Sequence, residues 1–247
     1  MLSFWAKTSG TWINVVLVLM GTGLGLLLRS HLSPKFQTVI TQAVGLTTIF
    51  IGVSMASALG DAGIGNVNGV ILALLSLVFG GLAGEWWQIE RRLLNCGDWL
   101  KSKFRGDSRF TEGFVAASLL FCIGPMTILG SLNNGLLGDG TILMVKSTMD
   151  GLVSIALTGT YGIGVGFSIL PLVLYQGGLS LLASGLATVI PDPNTAPPIL
   201  LVSGIGGIMI LGLGLNLLEV KKIQVASFLP ALLIGPLVSW LAKWVVS

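Results

Sequence analysis

Gly113–Gly151 reads GFVAASLLFCIGPMTILGSLNNGLLGDGTILMVKSTMDG. An apolar run opens it and breaks at Gly124-Pro125, because proline removes a helical donor and crowds the preceding turn. A polar, glycine-rich bend is expected next, carrying Ser131, Asn133, Asn134, Gly135, Gly138, Asp139 and Gly140. A second apolar run follows at once, and its first turns hold Lys146 and Asp150. Four residues apart on a helix, these two share one face. A charge inside an apolar span costs roughly 2.5–3.5 kcal/mol on insertion scales. Two such charges in one span make this the first place to look for function.

The rest of the chain supplies the solvent for that span. Of its 247 residues 53% are hydrophobic and 9% charged, and the mean hydropathy is +0.92. A soluble domain carries about 25% charged residues. So few charges cannot cover a globule, and lipid must bathe most of the surface. Apolar runs near the length of a bilayer span recur throughout, which is a helical signal and not that of a barrel. The expected fold is therefore all-α, a polytopic bundle of about eight transmembrane helices in a single transmembrane domain. The spans are read at 10–28, 36–58, 69–87, 111–129, 141–160, 167–188, 199–218 and 225–246. The first, ending at Arg29, is read as a retained helix and not a cleaved signal. The glycines at 159, 162, 164 and 166 divide the fifth span from the sixth. The segment 191–198, with four prolines, is expected to be a loop, and Gly235-Pro236 a second helix break.

Between Glu85 and Arg109 the composition changes. Glu90, Arg91, Arg92, Asp98, Lys101, Lys103, Arg105, Asp107 and Arg109 alternate with Trp86, Trp87, Trp99, Leu100 and Phe104. This predicts a helix lying on the membrane surface, with tryptophans at headgroup depth. Lysine and arginine in short loops set orientation. With eight spans, the loops at Arg29–Lys35, Arg91–Arg109 and Lys221–Lys222 share one side, the cytoplasm. The loops at Asp61, Asp139 and Asp192 share the other, and both termini lie outside. Lys7 and Lys243 are the exceptions.

An internal repeat is visible. LVLMGTGLGLLL at 17–28 parallels LVLYQGGLSLLA at 172–183, and Gly45 and Gly52 parallel Gly207 and Gly214. Leu77, Gly80 and Leu82 parallel Leu232, Gly235 and Leu237. The residues 10–88 and 167–246 then form two related helix triplets of opposite orientation, with 89–110 a cytoplasmic segment and 111–160 a central helix pair. Inverted repeats are common in secondary transporters, with the site near the midplane.

Asn14, Gln42, Ser54, Gln176 and Asn216 are polar at span depth. The expected binding residues for a solute or ion are Lys146, Asp150, Ser131, Asn133, Asn134, Gln176 and Asn216. Nothing points to a cofactor. His31, the only histidine, sits in a basic loop, and Cys96 and Cys122 form no ligand motif, so neither a metal site nor a catalytic triad is expected. The net charge of +3 lies in short loops and is no nucleic-acid signature.

Several segments carry a resemblance. They are Gly80–Trp86 (GGLAGEW), Glu112–Cys122 (EGFVAASLLFC), Lys146-Ser147 with Asp150-Gly151, Tyr175–Gly178 (YQGG), Gly212–Asn216 (GLGLN) and Leu229–Leu233 (LPALL). In these the chain resembles the bacterial membrane family DUF554, a domain of unknown function. The resemblance spans nearly the whole chain and departs at Pro125, where the family usually has a small residue. It implies a multi-pass inner-membrane protein. The function expected is transport of a small solute or ion. The alternative is a membrane-embedded binding or accessory protein without transport, and an enzyme is not expected. The partners are then the lipid bilayer and the solute, with no nucleic acid, and assembly into a homo-oligomer is compatible with this.

Overall fold

The computed structural model describes residues 3–29, 33–186 and 197–246. His31, Asp192 and most of the proline-rich loop lie outside them. The chain is an all-α helical bundle, and among the described residues the only β pairing is a single Ile64–Val67 bridge. The helices in order are α1 (Phe4–Arg29), α2 (Pro34–Ala56), α3 (Gly69–Trp86), α4 (Ile89–Phe104), α5 (Phe110–Cys122) and α6 (Pro125–Leu137). They continue as α7 (Thr141–Tyr161), α8 (Ile169–Leu172), α9 (Gly178–Leu186), α10 (Pro197–Leu217) and α11 (Ala231–Val246). Six of the described stretches are long and apolar enough to cross a membrane, or seven if the bent pair α5–α6 is one span. Large apolar side chains stand exposed along them, such as Leu27, Phe50, Leu74, Leu152, Leu174 and Leu233. Such surfaces belong in lipid.

The chain divides into two compact units. The first comprises residues 1–44, 94–122 and 126–189. Its main seam is α1 against α7. A Cβ on Gly25 would come within 2.7 Å of the Ile155 carbonyl oxygen, and one on Gly151 within 3.1 Å of that of Leu17. Small residues let two helices in lipid approach this closely, since packing and not water drives their association. The two run parallel, Gly10 lying at Leu143 and Arg29 at Gly162. At Gly162 the backbone takes φ +76°, which only glycine adopts without strain, and α7 stops. The chain then runs back along α1, Gly166 lying at Thr22 and Gly177 at Thr11. The apolar stretch from Thr141 to Ala183, 43 residues long, is therefore two antiparallel passes against one helix. The return pass contains a π-helical turn, Val173–Gly177. Arg29 and Asp107 pair beside Gly162, and Arg109 lies over the Tyr161 ring.

One expectation about the stretch between α5 and α7 is corrected. The break at Gly124-Pro125 is present, with α5 and α6 bent by 60°, and Pro125 takes the first helical position, where a missing N–H costs nothing. The expected polar bend is mostly helix, however. Ser131, Asn133 and Asn134 lie on α6, and only Gly138–Gly140 turn. Asn134 explains this, since its side chain bonds the first turns of α1. It accepts from the Gly10 N–H at 3.0 Å and donates to the Ala6 carbonyl at 3.1 Å and Ser9 Oγ at 3.0 Å.

The second unit comprises residues 45–93, 123–125 and 190–247. Here α2 packs antiparallel to α10 through reciprocal glycines. A Cβ on Gly52 would meet the Gly207 oxygen at 2.9 Å, and one on Gly207 the Gly52 oxygen at 2.7 Å. Gly45 and Gly214 repeat this at 3.5 and 3.2 Å. Antiparallel α3 and α11 meet where Gly80 faces Ala231, and Gly84 faces Ser227 in the turn that leads into α11. Two expectations are corrected. Pro197 and Pro198 begin α10 instead of belonging to the loop, and Pro236 lies inside a continuous α11. Transmembrane helices tolerate such a proline because neighbouring groups and local adjustment re-satisfy the freed carbonyl.

A helix, α4, stands where the surface helix was predicted. Its Gly97 and Leu100 are buried while Trp99 and Phe104 are exposed, and Lys103 lies over the Trp99 ring at 4.9 Å. Glu90, at its start, accepts from the Ala226 N–H at 2.9 Å. Burial holds its carboxyl above the usual glutamate range, outweighing that hydrogen bond and nearby Lys222. A raised folded-state pKa means the ionised form is disfavoured by folding, so its contribution is lost as pH rises through that pKa. Glu90→Gln is therefore expected to be more stable than the parent at pH 7, with the gap closing below about pH 4.5. Thermal unfolding in detergent across pH checks this, and a gap that widens toward acid would contradict it.

Candidate functional site

Asp150 is the tenth of the 21 residues of α7, at mid-span. Lys146 stands one turn before it on the same face, and the two side chains pair, with 8% and 11% of their surface exposed. The seam between α1 and α7 brings a third group to them. Asn14 lies seven residues before Gly21, about two turns up the same face of α1, and is fully buried. Its Nδ2 donates to Asp150 Oδ2 at 2.9 Å and to Gln176 Oε1 at 3.1 Å. Gln176, also fully buried, sits in the π turn of the return pass and donates from Nε2 to Thr11 Oγ1 at 3.4 Å. π turns occur often at functional sites.

The orientations in this cluster are mutually fixed. The carboxylate can only accept from the Asn14 amide, so Nδ2 faces it, and the opposite amide setting would place Oδ1 against a carboxylate oxygen. Asn14 Oδ1 is thereby left buried with no hydrogen-bond partner. Such an atom typically costs about 1–3 kcal/mol. It has company. Ser131, Ser168, Ser180, Thr22 and Thr158 also bury unpartnered hydroxyl oxygens, and all of them, like Asn14, belong to the first unit.

Of the expected site residues, Lys146, Asp150 and Gln176 come together. Ser131 is buried on α6 and Asn133 half-buried there, while Asn134 is occupied in bonding α1. Asn216 belongs to the second unit, where it donates to the Ile223 carbonyl and accepts from the Ile223 N–H, closing the turn after α10. Asn14 and Thr11 complete the cluster without being on that list. Asn14 was visible only as an amide at span depth, and Thr11 gave no signal. Among the described residues no group of three or more His, Cys, Asp or Glu could hold a metal ion.

A family model described as a protein of unknown function, DUF554, matches residues 9–240, which include every residue of the cluster. The chain belongs to the DUF554 family. It is 34% identical over 230 residues to the uncharacterized membrane protein YdfK of Bacillus subtilis (strain 168), covering 93% of this chain and 94% of that one. It is 29% identical over 243 residues to the uncharacterized protein YqgA of Escherichia coli (strain K12), covering 95% and 98%. No solved structure matches the chain. This DUF554 member is a multi-pass membrane protein that sits in a lipid bilayer.

Proposed function

We propose that the protein carries a small solute or ion across the bacterial inner membrane, and that Lys146, Asp150, Asn14 and Gln176 bind it. The observation that carries this is the mid-span polar cluster with its unpartnered Asn14 oxygen. Ionisable groups at that depth mark pathways by default. Orphaned hydroxyls concentrated in the same unit suit a route that admits water or solute.

Contacts of the kind an inverted repeat would produce support the reading. If helices 1–3 and 6–8 are equivalent, a local two-fold must exchange the contacts of each corresponding pair. The contact of Gly45 with Gly214 becomes that of Gly207 with Gly52, and both occur. The contact of Thr22 with Gly166 becomes that of Gly177 with Thr11, at the spacing that sets Leu17 against Leu172, and both occur. Corresponding helices run antiparallel in all three pairs, as inversion requires, although the Gly80–Ala231 contact of the third pair has no such counterpart, Gly235 facing Ile205 and Leu201. Asn14 and Gln176 then come from the two repeats, and the charged pair from the central helices.

Counting the reversal at Gly162 and the bent pair as one span gives eight crossings, with both termini outside and α4 in the cytoplasm. Cys96, exposed on α4, should be modified by a membrane-impermeant maleimide in inside-out vesicles and protected in intact cells, in a Cys122→Ala background. Modification in intact cells alone would reverse the orientation.

Transport itself is tested in proteoliposomes with radiolabelled sodium, rubidium, chloride, glycine and alanine. Uptake of at least one above empty liposomes, abolished in Asp150→Asn/Lys146→Met, is expected. Binding without uptake would favour a membrane-embedded binding protein.

A further inference from the structure

We propose that the solute is a small zwitterion, bearing an ammonium group and an anionic group a few ångströms apart. This rests on reading the mid-span cluster as the solute site. The argument is one of charge balance. Lys146 and Asp150 are paired and buried, so together they are neutral inside an apolar span. A lone cation taken by Asp150 would leave the Lys146 ammonium unmatched, and a lone anion taken by Lys146 would strand Asp150. Removing one partner from a buried pair is strongly unfavourable because the other charge is left without compensation. A ligand with both signs replaces one internal ion pair by two and leaves neither side chain unmatched.

The geometry distinguishes the two ends. Lys146 Nζ now occupies the place of a ligand ammonium, against Asp150 Oδ2. The one unsatisfied atom of the cluster is an acceptor, Asn14 Oδ1, on the amide whose Nδ2 bonds that carboxylate. An incoming ammonium, with three donors, would take Asp150 and that oxygen together. Lys146, released on its flexible stem, would then meet the ligand's anionic group. The room for the ammonium is the position that Lys146 vacates, which limits the ligand to a small one.

The test is equilibrium binding to the purified full-length protein in detergent. The probes are glycine, L-alanine, β-alanine, γ-aminobutyrate and taurine, set against ethylammonium chloride, sodium chloride and sodium acetate. At least one zwitterion is expected to bind saturably, at least tenfold more tightly than every single-sign ion. Asn14→Leu keeps the ion pair and removes the free acceptor together with the amide's bonds to Asp150 and Gln176, and should weaken that binding at least tenfold while the protein stays folded. Saturable, Asp150-dependent binding of ethylammonium or sodium with no zwitterion bound would overturn the inference and leave the transport reading standing. Absence of binding by any probe would overturn it too, and labelled-solute uptake then decides the transport reading separately. Zwitterion binding unaffected by Asn14→Leu would place the ligand elsewhere and also overturn it.

Discussion

Lys146→Met alone is expected to destabilise the folded protein by about 3–5 kcal/mol, because it leaves the Asp150 carboxylate buried and unmatched. Asp150→Asn should do the same by stranding the ammonium. Both carry little exposure, so solvent screening offers small relief. The double variant Asp150→Asn/Lys146→Met should recover most of the lost stability, since an amide and a thioether of similar volume bury no charge. It should not recover solute binding or uptake. Thermal unfolding in detergent and uptake into proteoliposomes, measured on all three variants, separate the two consequences. Recovery of both together would make the pair a structural element only. Failure of the double variant to regain stability would show that the charges were not compensating each other.

Gly21→Ala is expected to be nearly as damaging, whereas Gly23→Ala, two residues away, should be close to neutral. A Cβ on Gly21 would fall onto the Gly151 carbonyl oxygen and within 2.9 Å of the Ser154 Cβ, whereas one on Gly23 meets nothing within 4 Å. Overpacking a fitted interface costs typically about 1–3 kcal/mol. Here the obstacle is backbone, which cannot turn aside like a side chain, so the upper end of that range is expected. Gly23→Ala has nothing to strike, and helix propensity favours alanine there, so no loss of stability is expected. Forcing α1 from α7 also draws Asn14 from Asp150, so Gly21→Ala should weaken solute binding even where it folds. Equal unfolding temperatures for the two variants would refute the seam.

These effects show where the sequence was informative. Nine per cent charge and repeated apolar runs are statements about solvent, and they led directly to a helical membrane protein. Lys146 and Asp150 could be placed on one buried face because helical spacing is local and lipid exposure of a charge is costly. The break at Gly124-Pro125 was legible for the same local reason. What failed depended on neighbours. Ser131–Asn134 looked like a bend because polar residues in a glycine-rich stretch favour turns, but the backbone of α1 gave Asn134 partners that hold it on a helix. Pro236 looked like a break, but the helix continues through it. The partnership of Asn14 with Asp150 requires knowing that α1 lies on α7. The π turn around Gln176 left no trace in the pattern at all.

The central claim is that the mid-span cluster is a solute site reached from water. Single-cysteine accessibility tests it most directly. Asn14→Cys in a Cys96→Ser/Cys122→Ala background leaves the Lys146–Asp150 pair intact and places a thiol at the unpartnered position. Its reaction with a small impermeant methanethiosulfonate should be measured in intact cells and in inside-out vesicles. Modification from both faces is predicted, slowed by a bound solute. A thiol unreactive from either face, in protein that a permeant maleimide labels once it is unfolded, would contradict the account.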